Sequence, residues 1–382
     1  LSLHDALPIY YMASYIRRIA HHTCCINDYF DPTQMTTLYL FNPSHDEALA
    51  ANNPHYYPSK IARHLANEWG ALPMLWAQDN DYIWITDEAA LPSPNNWSRA
   101  LPHFVRTQHM NAHFWQTIDK ISPWGWDPLV RQQLLKVGAP CSLLPSDEQL
   151  LTIRQLSSRH STSALLPLLQ QGLAQHHIHT TGQSVIAHSL DEVMCLAQQY
   201  EHIMVKSLWS CSGRGVFAIN ATPSASATGR INRLLREQGG VEVEPHYKGM
   251  LDFALEFDAQ PNGQVCYAGI SLFGTSATGG YAGNWIAPQT VLEAHIAQHF
   301  AYLNCLIQVC EQTLTHYLQG RYSGPLGIDM MLVNEQGQCT LHPCIELNLR
   351  RTMGYVSLAV GQLPTTEPLP SFAQSLFQPF ES

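Results

Sequence analysis

Short apolar runs alternate with amphipathic stretches over most of the chain. Thr37 to Phe41, "TLYLF", predicts a buried strand, and "NPSHDEALA" after it predicts a loop running into a helix. Ser59 to Leu72 places Ile61, Leu65 and Trp69 on one helical face, and "MLWAQ" and "DYIWI" read as two more strands. This alternation predicts an α/β lobe on a parallel sheet. Residues 90–135 are rich in Pro, Asn and Trp and carry weak signals. Ser146 and Gln149 have the spacing of a capping box, which predicts a helix through Arg154 toward Ser158. "SLDEVMCLAQQY" predicts a second capped helix, and "GRINRLLREQGG" a third that ends at glycine. Ile203 to Val205 and Val216 to Ile219 read as strands, as does "VEVEPHY". "FALEFDA" and "VCYAGISLFG" predict an antiparallel hairpin around "QPNGQ". Residues 274–288 read as a mobile glycine loop. Apolar positions recurring from Ile296 to Tyr317 predict one long helix whose stripe faces a core. "LGIDMMLV" and "LHPCIELNL" are the last two strands.

Composition narrows the classes. The 382 residues allow two or three lobes, and a hydrophobic fraction of 45% supports sizeable cores. Twenty basic residues against 30 acidic ones give a net charge of -10, which argues against broad nucleic-acid binding. The ten cysteines form no CxxC pair and predict reduced thiols in a cytoplasmic protein. No apolar run is long enough to span a bilayer. Residues 1–34 have neither the basic start nor the apolar centre of a signal peptide. They are read as an extension outside the fold, so a chain starting at Met35 is expected to fold alone. Residues 35–145 then form the N-terminal domain and 146–382 the rest, divided near residue 245.

Two constellations carry chemistry. Lys206 ends a strand, and the small-residue loop Ser210-Cys211-Ser212-Gly213-Arg214-Gly215 follows. Backbone N–H groups in such a loop approach phosphates closely, and the lysine adds a point charge. The β-rich "GVFAI" afterwards speaks against a dinucleotide fingerprint, which needs a helix there. An ordinary glycine-rich hairpin with a surface lysine is the alternative. The second set is Asp329 on one strand and Glu346 with Asn348 on the next. Alternate residues share a face, so Glu346, Asn348 and Arg350 are co-facial. Two carboxylates and an amide oxygen among apolar residues suit Mg²⁺, and Arg350 suits an anion. A structural hydrogen-bond network is the alternative. Between the two sets, "VEVEPHYKGMLDFALEF" offers a strand end and the acids Glu244 and Asp252.

In this order, Lys206 with "SCSGRG", "EPHYKGMLD", Asp329 in "GIDMML" and "ELNLRR" at 346–351 resemble the ATP-grasp superfamily. The resemblance spans roughly residues 146–360. It implies an N-terminal α/β pre-ATP-grasp lobe followed by a two-lobed ATP-grasp fold, with ATP and Mg²⁺ between the lobes. The smaller lobe would carry Lys206, and the larger Asp329, Glu346 and Asn348. It further implies that Lys206 contacts the α- and β-phosphates and that Ser210, Ser212 and Gly213 form a flap over them. Glu244 with the backbone of Pro245, His246 and Tyr247 would hold adenine. Asp252 would take the ribose, and Met331 would pack under the base. Arg159, with Arg154 as its rival, would be the further phosphate contact. Arg350 and Arg351 would hold an acylphosphate or the acceptor. The implied activity is ligation of a small-molecule carboxylate to an amine or thiol. A phosphotransferase, and a nucleotide-binding module without turnover, are the alternatives. The substrates' identities and any homo-oligomer stay open at this level.

Overall fold

The computed structural model describes residues 35–86, 100–210, 215–275, 281–335, 337–363 and 377–379. The segment 1–34 lies outside them. Three sheets follow one another along the chain. The first is parallel, in the order β3-β2-β1-β4, from β1 (Thr37–Leu40), β2 (Tyr82–Trp84), β3 (His103–Val105) and β4 (Lys120–Pro123), and its segment carries the helices α1 (His45–Ala51), α2 (Lys60–Glu68), α3 (Ala112–Gln116) and α4 (Pro128–Lys136). The second is antiparallel, in the order β5-β8-β6-β7, from β5 (Val185–Ala187), β6 (His202–Ser207), β7 (Val216–Asn220) and β8 (Val241–Pro245). The third has six strands in the order β13-β12-β9-β10-β11-β14. They are β9 (Gly249–Ala259), β10 (Val265–Thr275), β11 (Tyr281–Ile286), β12 (Gly324–Glu335), β13 (Gln338–Asn348) and β14 (Phe377–Pro379). Its pairings are antiparallel except β11 with β14. An α/β lobe followed by a smaller and a larger antiparallel lobe is the architecture that the sequence predicts.

Period-two patterning explains the large sheet. Phe253, Leu255 and Phe257 of β9 and Leu326, Ile328 and Met330 of β12 point into one buried core. That core is closed by the helices α6 (Arg159–Ala174), α9 (Gln289–His299) and α10 (Leu303–Leu318). The intervening residues, among them Asp252, Glu256 and Asp329, therefore fall on the opposite face, which fronts a cavity. The small sheet packs on α7 (Leu190–Tyr200) and α8 (Ala225–Gln238), the latter ended by Gly239 at φ 79°. The Ser146 capping box opens α5 (Asp147–Leu156): the hydroxyl accepts from Gln149 N at 3.1 Å, and the Gln149 amide accepts from Ser146 N at 2.8 Å.

Four expectations are corrected. "MLWAQ" is not a strand: Leu72–Leu75 form a 3₁₀ turn. Pro73 fixes φ and lacks a donor for a sheet, and all four residues are buried in a helix-lined core. The helix expected over 59–72 ends at Glu68. The long helix from Ile296 is two, α9 and α10, broken where Phe300 turns extended (φ −142°) and buries its ring. Both pieces keep the apolar stripe on the same core, as its periodicity implies. Within 274–288, Tyr281–Ile286 is a strand paired with β10 across Leu272–Thr275, as the alternation of Tyr281, Gly283 and Trp285 allows.

Candidate active site

A cavity of about 590 Å³ opens between the small sheet, the large sheet and the N-terminal domain. Lys206 is buried at its small-lobe wall and pairs in register with Glu242 on β8, while Met204 pairs with Glu244. The two acids therefore share the lysine's face. Lys206 Nζ lies 2.5 Å from Glu244 Oε1 and 3.9 Å from Glu242 Oε2, and approaches the Ile345 carbonyl at 3.5 Å. Burial pushes the Glu244 carboxyl up, and Lys206 works against that rise.

Arg159 enters from the first turn of α6. Its Nη1 is 3.2 Å from Glu242 Oε2, its Nη2 is 2.9 Å from Glu346 Oε1, and its Nε donates to the Ser207 carbonyl at 3.1 Å. Burial opposes its charge, but Glu346, Glu242 and Glu244 hold the guanidinium charged more firmly than usual. One side chain thus ties the two sheets together across the cleft. Ser184 Oγ donates to the other oxygen of Glu242 at 2.5 Å.

On the large sheet Asp329 pairs directly with Glu346, and a bulge between Asp329 and Met331 shifts the register beyond them. Asn348 Nδ2 donates to Asp329 Oδ2 at 3.3 Å. Burial first, and the Glu346 charge second, push the Asp329 carboxyl up to about 7. Two acids facing each other in register beside an amide form an oxygen-rich donor set of the kind that takes a hard cation. Among the described residues no group of three or more His, Cys, Asp or Glu has metal-holding geometry, so such a set depends on the Asn348 amide. Glu256 lies two positions from Ala254, the residue opposite Asp329. Burial above all raises its carboxyl to about 8, only partly countered by Thr352 and Ser271.

Most residues named from the sequence line this cavity: Arg159, Lys206, Glu244, His246, Tyr247, Asp252, Asp329, Met331, Glu346, Asn348 and Arg350. Asp252 accepts from Thr275 Oγ1 at 2.8 Å. Arg350 Nε bonds Asp46 of the "NPSHDEALA" segment at 3.0 Å, which brings the N-terminal domain to the cavity. Other residues go elsewhere. Arg351 points into the N-terminal domain, where Nη1 donates to Ser122 Oγ at 3.0 Å and the guanidinium lies over the Tyr39 and Trp76 rings. Both arginines lie just past the end of β13, where Arg350 turns to the cavity and Arg351, whose N–H donates to the Trp124 carbonyl, is held on the N-terminal side. Arg154 stacks on Trp209 and donates to the Leu49 carbonyl outside the cavity. Pro245 and Ser210 do not line it, and Ser212 and Gly213 lie outside the described residues.

The sequence reading missed Glu242 and Glu256. Each had a signal. In "VEVEP" the acids alternate with valines that must be buried, and in "FALEF" a single acid interrupts an apolar run.

No family model matches the chain, and no curated protein matches it by sequence. Comparison of its fold with solved structures finds similar ones. The N5-carboxyaminoimidazole synthetase of Staphylococcus aureus, complexed with ADP, is 13% identical with a TM-score of 0.44, covering 88% of this chain and 80% of that one. The D-alanyl-alanine synthetase A of Vibrio cholerae is 13% identical with a TM-score of 0.46, covering 87% of this chain and 96% of that one. The biotin carboxylase of Campylobacter jejuni, as a β,γ-ATP complex, is 13% identical with a TM-score of 0.46, covering 88% of this chain and 74% of that one.

Proposed function

We propose that the protein is an ATP-dependent ligase that activates a carboxylate as an acylphosphate and transfers the acyl group to an amine. The observation that carries this is the cavity itself. Two buried cations, Lys206 of the small sheet and Arg159 at the start of α6, face a paired-carboxylate set of the large lobe, Asp329 with Glu346. Cations on one wall suit a polyphosphate. Asp329, Glu346 and Asn348 would hold Mg²⁺, which when bound lowers the repulsion between phosphate and an incoming anion.

In the reaction a substrate carboxylate oxygen attacks the γ-phosphorus and ADP leaves. The amine nitrogen then attacks the acyl carbon, phosphate departs, and the nitrogen loses a proton. Lys206 and Arg159 would stabilise charge on the phosphates, after exchanging their present carboxylate partners for them. Glu244, His246 and Tyr247 at the small-lobe rim suit the base, and Asp252 suits the ribose. Arg350, held by Asp46, is placed to orient an anionic intermediate. The enclosed site would exclude water from the acylphosphate.

The test is calorimetric titration with Mg-ATP, followed by incubation with pooled carboxylates and amines. ADP release that requires both substrate classes, with a product whose mass is their sum less water, is the expected result. Tight Mg-ATP binding with ADP release from a carboxylate alone, and no coupled product, would instead point to a phosphotransferase.

A further inference from the structure

Glu256 stands in the middle of β9 between Leu255 and Phe257 and is fully buried. An acid there is costly unless its oxygens are satisfied. Oε1 accepts from Thr352 Oγ1 at 2.8 Å and from Ser271 Oγ at 3.3 Å. Oε2 has no hydrogen-bond partner, and no cation forms an ion pair with Glu256 among the described residues. Glu242 and Glu244, as deeply buried, are both paired with cations. Arg350, whose field reaches Glu256, is engaged by Asp46.

The backbone is shaped around this carboxylate. A Cβ at Gly327 would come within 2.5 Å of Oε2, and one at Gly354 would overlap Oε1. Glycine at both positions lets the acid sit where larger residues would displace it. Glu256, Ser271, Thr352 and Gly354 all line the cavity that holds Asp329. Beside them Met353 packs with the aromatic cluster of Phe41, Trp69 and Trp124 from the N-terminal domain. A buried oxygen lacking a donor, next to an apolar wall, calls for a cationic donor on an apolar body.

From this we infer that Glu256 binds the primary ammonium of the acceptor substrate, and that this acceptor is an amine with an apolar substituent. The role as acceptor site rests on the ligase reading above; the cation site itself does not. An ammonium would bring Oε2 its missing donor and supply the counter-charge that lets this carboxyl ionise in the core. The amine would lose a proton before attack, and Glu256 is the nearest carboxylate to receive it.

The probes are phenethylamine and n-butylamine, with 3-phenylpropionate and 2-phenylethanol as anionic and neutral counterparts. Binding is followed by saturation-transfer NMR, with and without Mg-AMP-PNP. The wild type is expected to take the amines and reject both counterparts. Glu256→Gln should weaken amine binding by about 10- to 100-fold, the span of a charge-assisted hydrogen bond. Mg-AMP-PNP affinity should change far less. Equal amine binding in Glu256→Gln, or no amine preference in the wild type, would overturn the inference. A changed magnesium requirement with unchanged amine binding would also overturn it, making Glu256 a metal ligand. Should Glu256→Gln not fold, Glu256→Asp, which keeps the charge but draws it back, is measured instead: amine binding should weaken with AMP-PNP binding kept, and unchanged amine binding would overturn the inference. Amine binding that needs Glu256 in a protein that does not bind AMP-PNP would overturn the acceptor role together with the ligase reading. AMP-PNP binding without amine binding would overturn the inference alone.

Discussion

The two walls of the cavity treat buried charge in opposite ways. On the small-lobe side Lys206, Glu242 and Glu244, with Arg159 reaching over from α6, neutralise one another within 4 Å, before any ligand arrives. On the large-lobe side Asp329 and Glu256 sit in the same sheet face with only neutral donors, and burial raises both carboxyls far above their usual range. A balanced network stabilises the fold and trades partners when a polyphosphate enters. An unbalanced one costs stability and waits for a cation. The contrast assigns structural and binding roles to acids that look alike in sequence.

Four variants break or sharpen that contrast. Arg159→Met should destabilise most, because it strands Glu242 in the core and frees Glu346. A loss of about 3–5 kcal/mol in urea unfolding is expected, the range for removing one partner of a buried ion pair. A loss below about 1 kcal/mol would show that the small-lobe wall is not balanced by this residue.

Glu256→Gln should do the reverse at high pH. The folded protein keeps the Glu256 proton up to about pH 8, while an unfolded chain gives it up near its ordinary value. Between these limits the folded state holds more protons, so stability falls as pH rises. It is highest below the unfolded value and lost through about 8. The variant should flatten this slope and be more stable than the parent at pH 8.5, by on the order of 3 kcal/mol. Asp329 leaves a residual slope that ends near pH 7. Melting temperatures across pH 5–9 check this; parallel curves for the two proteins would contradict it.

Glu346→Gln keeps shape and removes charge. Under the ligase reading, turnover should drop by about two to three orders of magnitude, as when one electrostatic stabiliser is lost. Ground-state ATP affinity should fall less. ADP formation under magnesium titration measures both effects. The smallest effect is expected for Lys206→Ala, with ATP binding weakened by about 1.5–3 kcal/mol in calorimetry. Part of the loss is returned because binding no longer has to break the Lys206–Glu244 ion pair.

Much of this was legible before any coordinates. Alternation along "CIELN" puts Glu346 and Asn348 on one face, and both line the cavity; Arg350 reaches it from just beyond the strand's end, which alternation does not explain. The strand reading of "GVFAI" correctly removes the dinucleotide fingerprint. What escaped depends on contacts distant in sequence. Whether Glu242 and Glu256 find cations is decided by α6 and by Arg350, not by neighbours in "VEVEP" or "FALEF". The break at Phe300 and the turn at Leu72–Leu75 answer to packing on other elements, which local periodicity does not report.

The helix α11 (Met353–Gly361), near the far end of the chain, lends Val356 and Val360 to the apolar cluster built on Phe41, Leu72 and Ile83. Arg351 N donates to the Trp124 carbonyl just before it. During vectorial synthesis the first sheet therefore emerges with one face covered only in part, by residues 65–77, until some two hundred further residues have left the ribosome. Its natural lid is the last helix described. For that interval the nascent protein leaves part of an aromatic cluster without its last covering helix, the kind of surface on which folding intermediates associate.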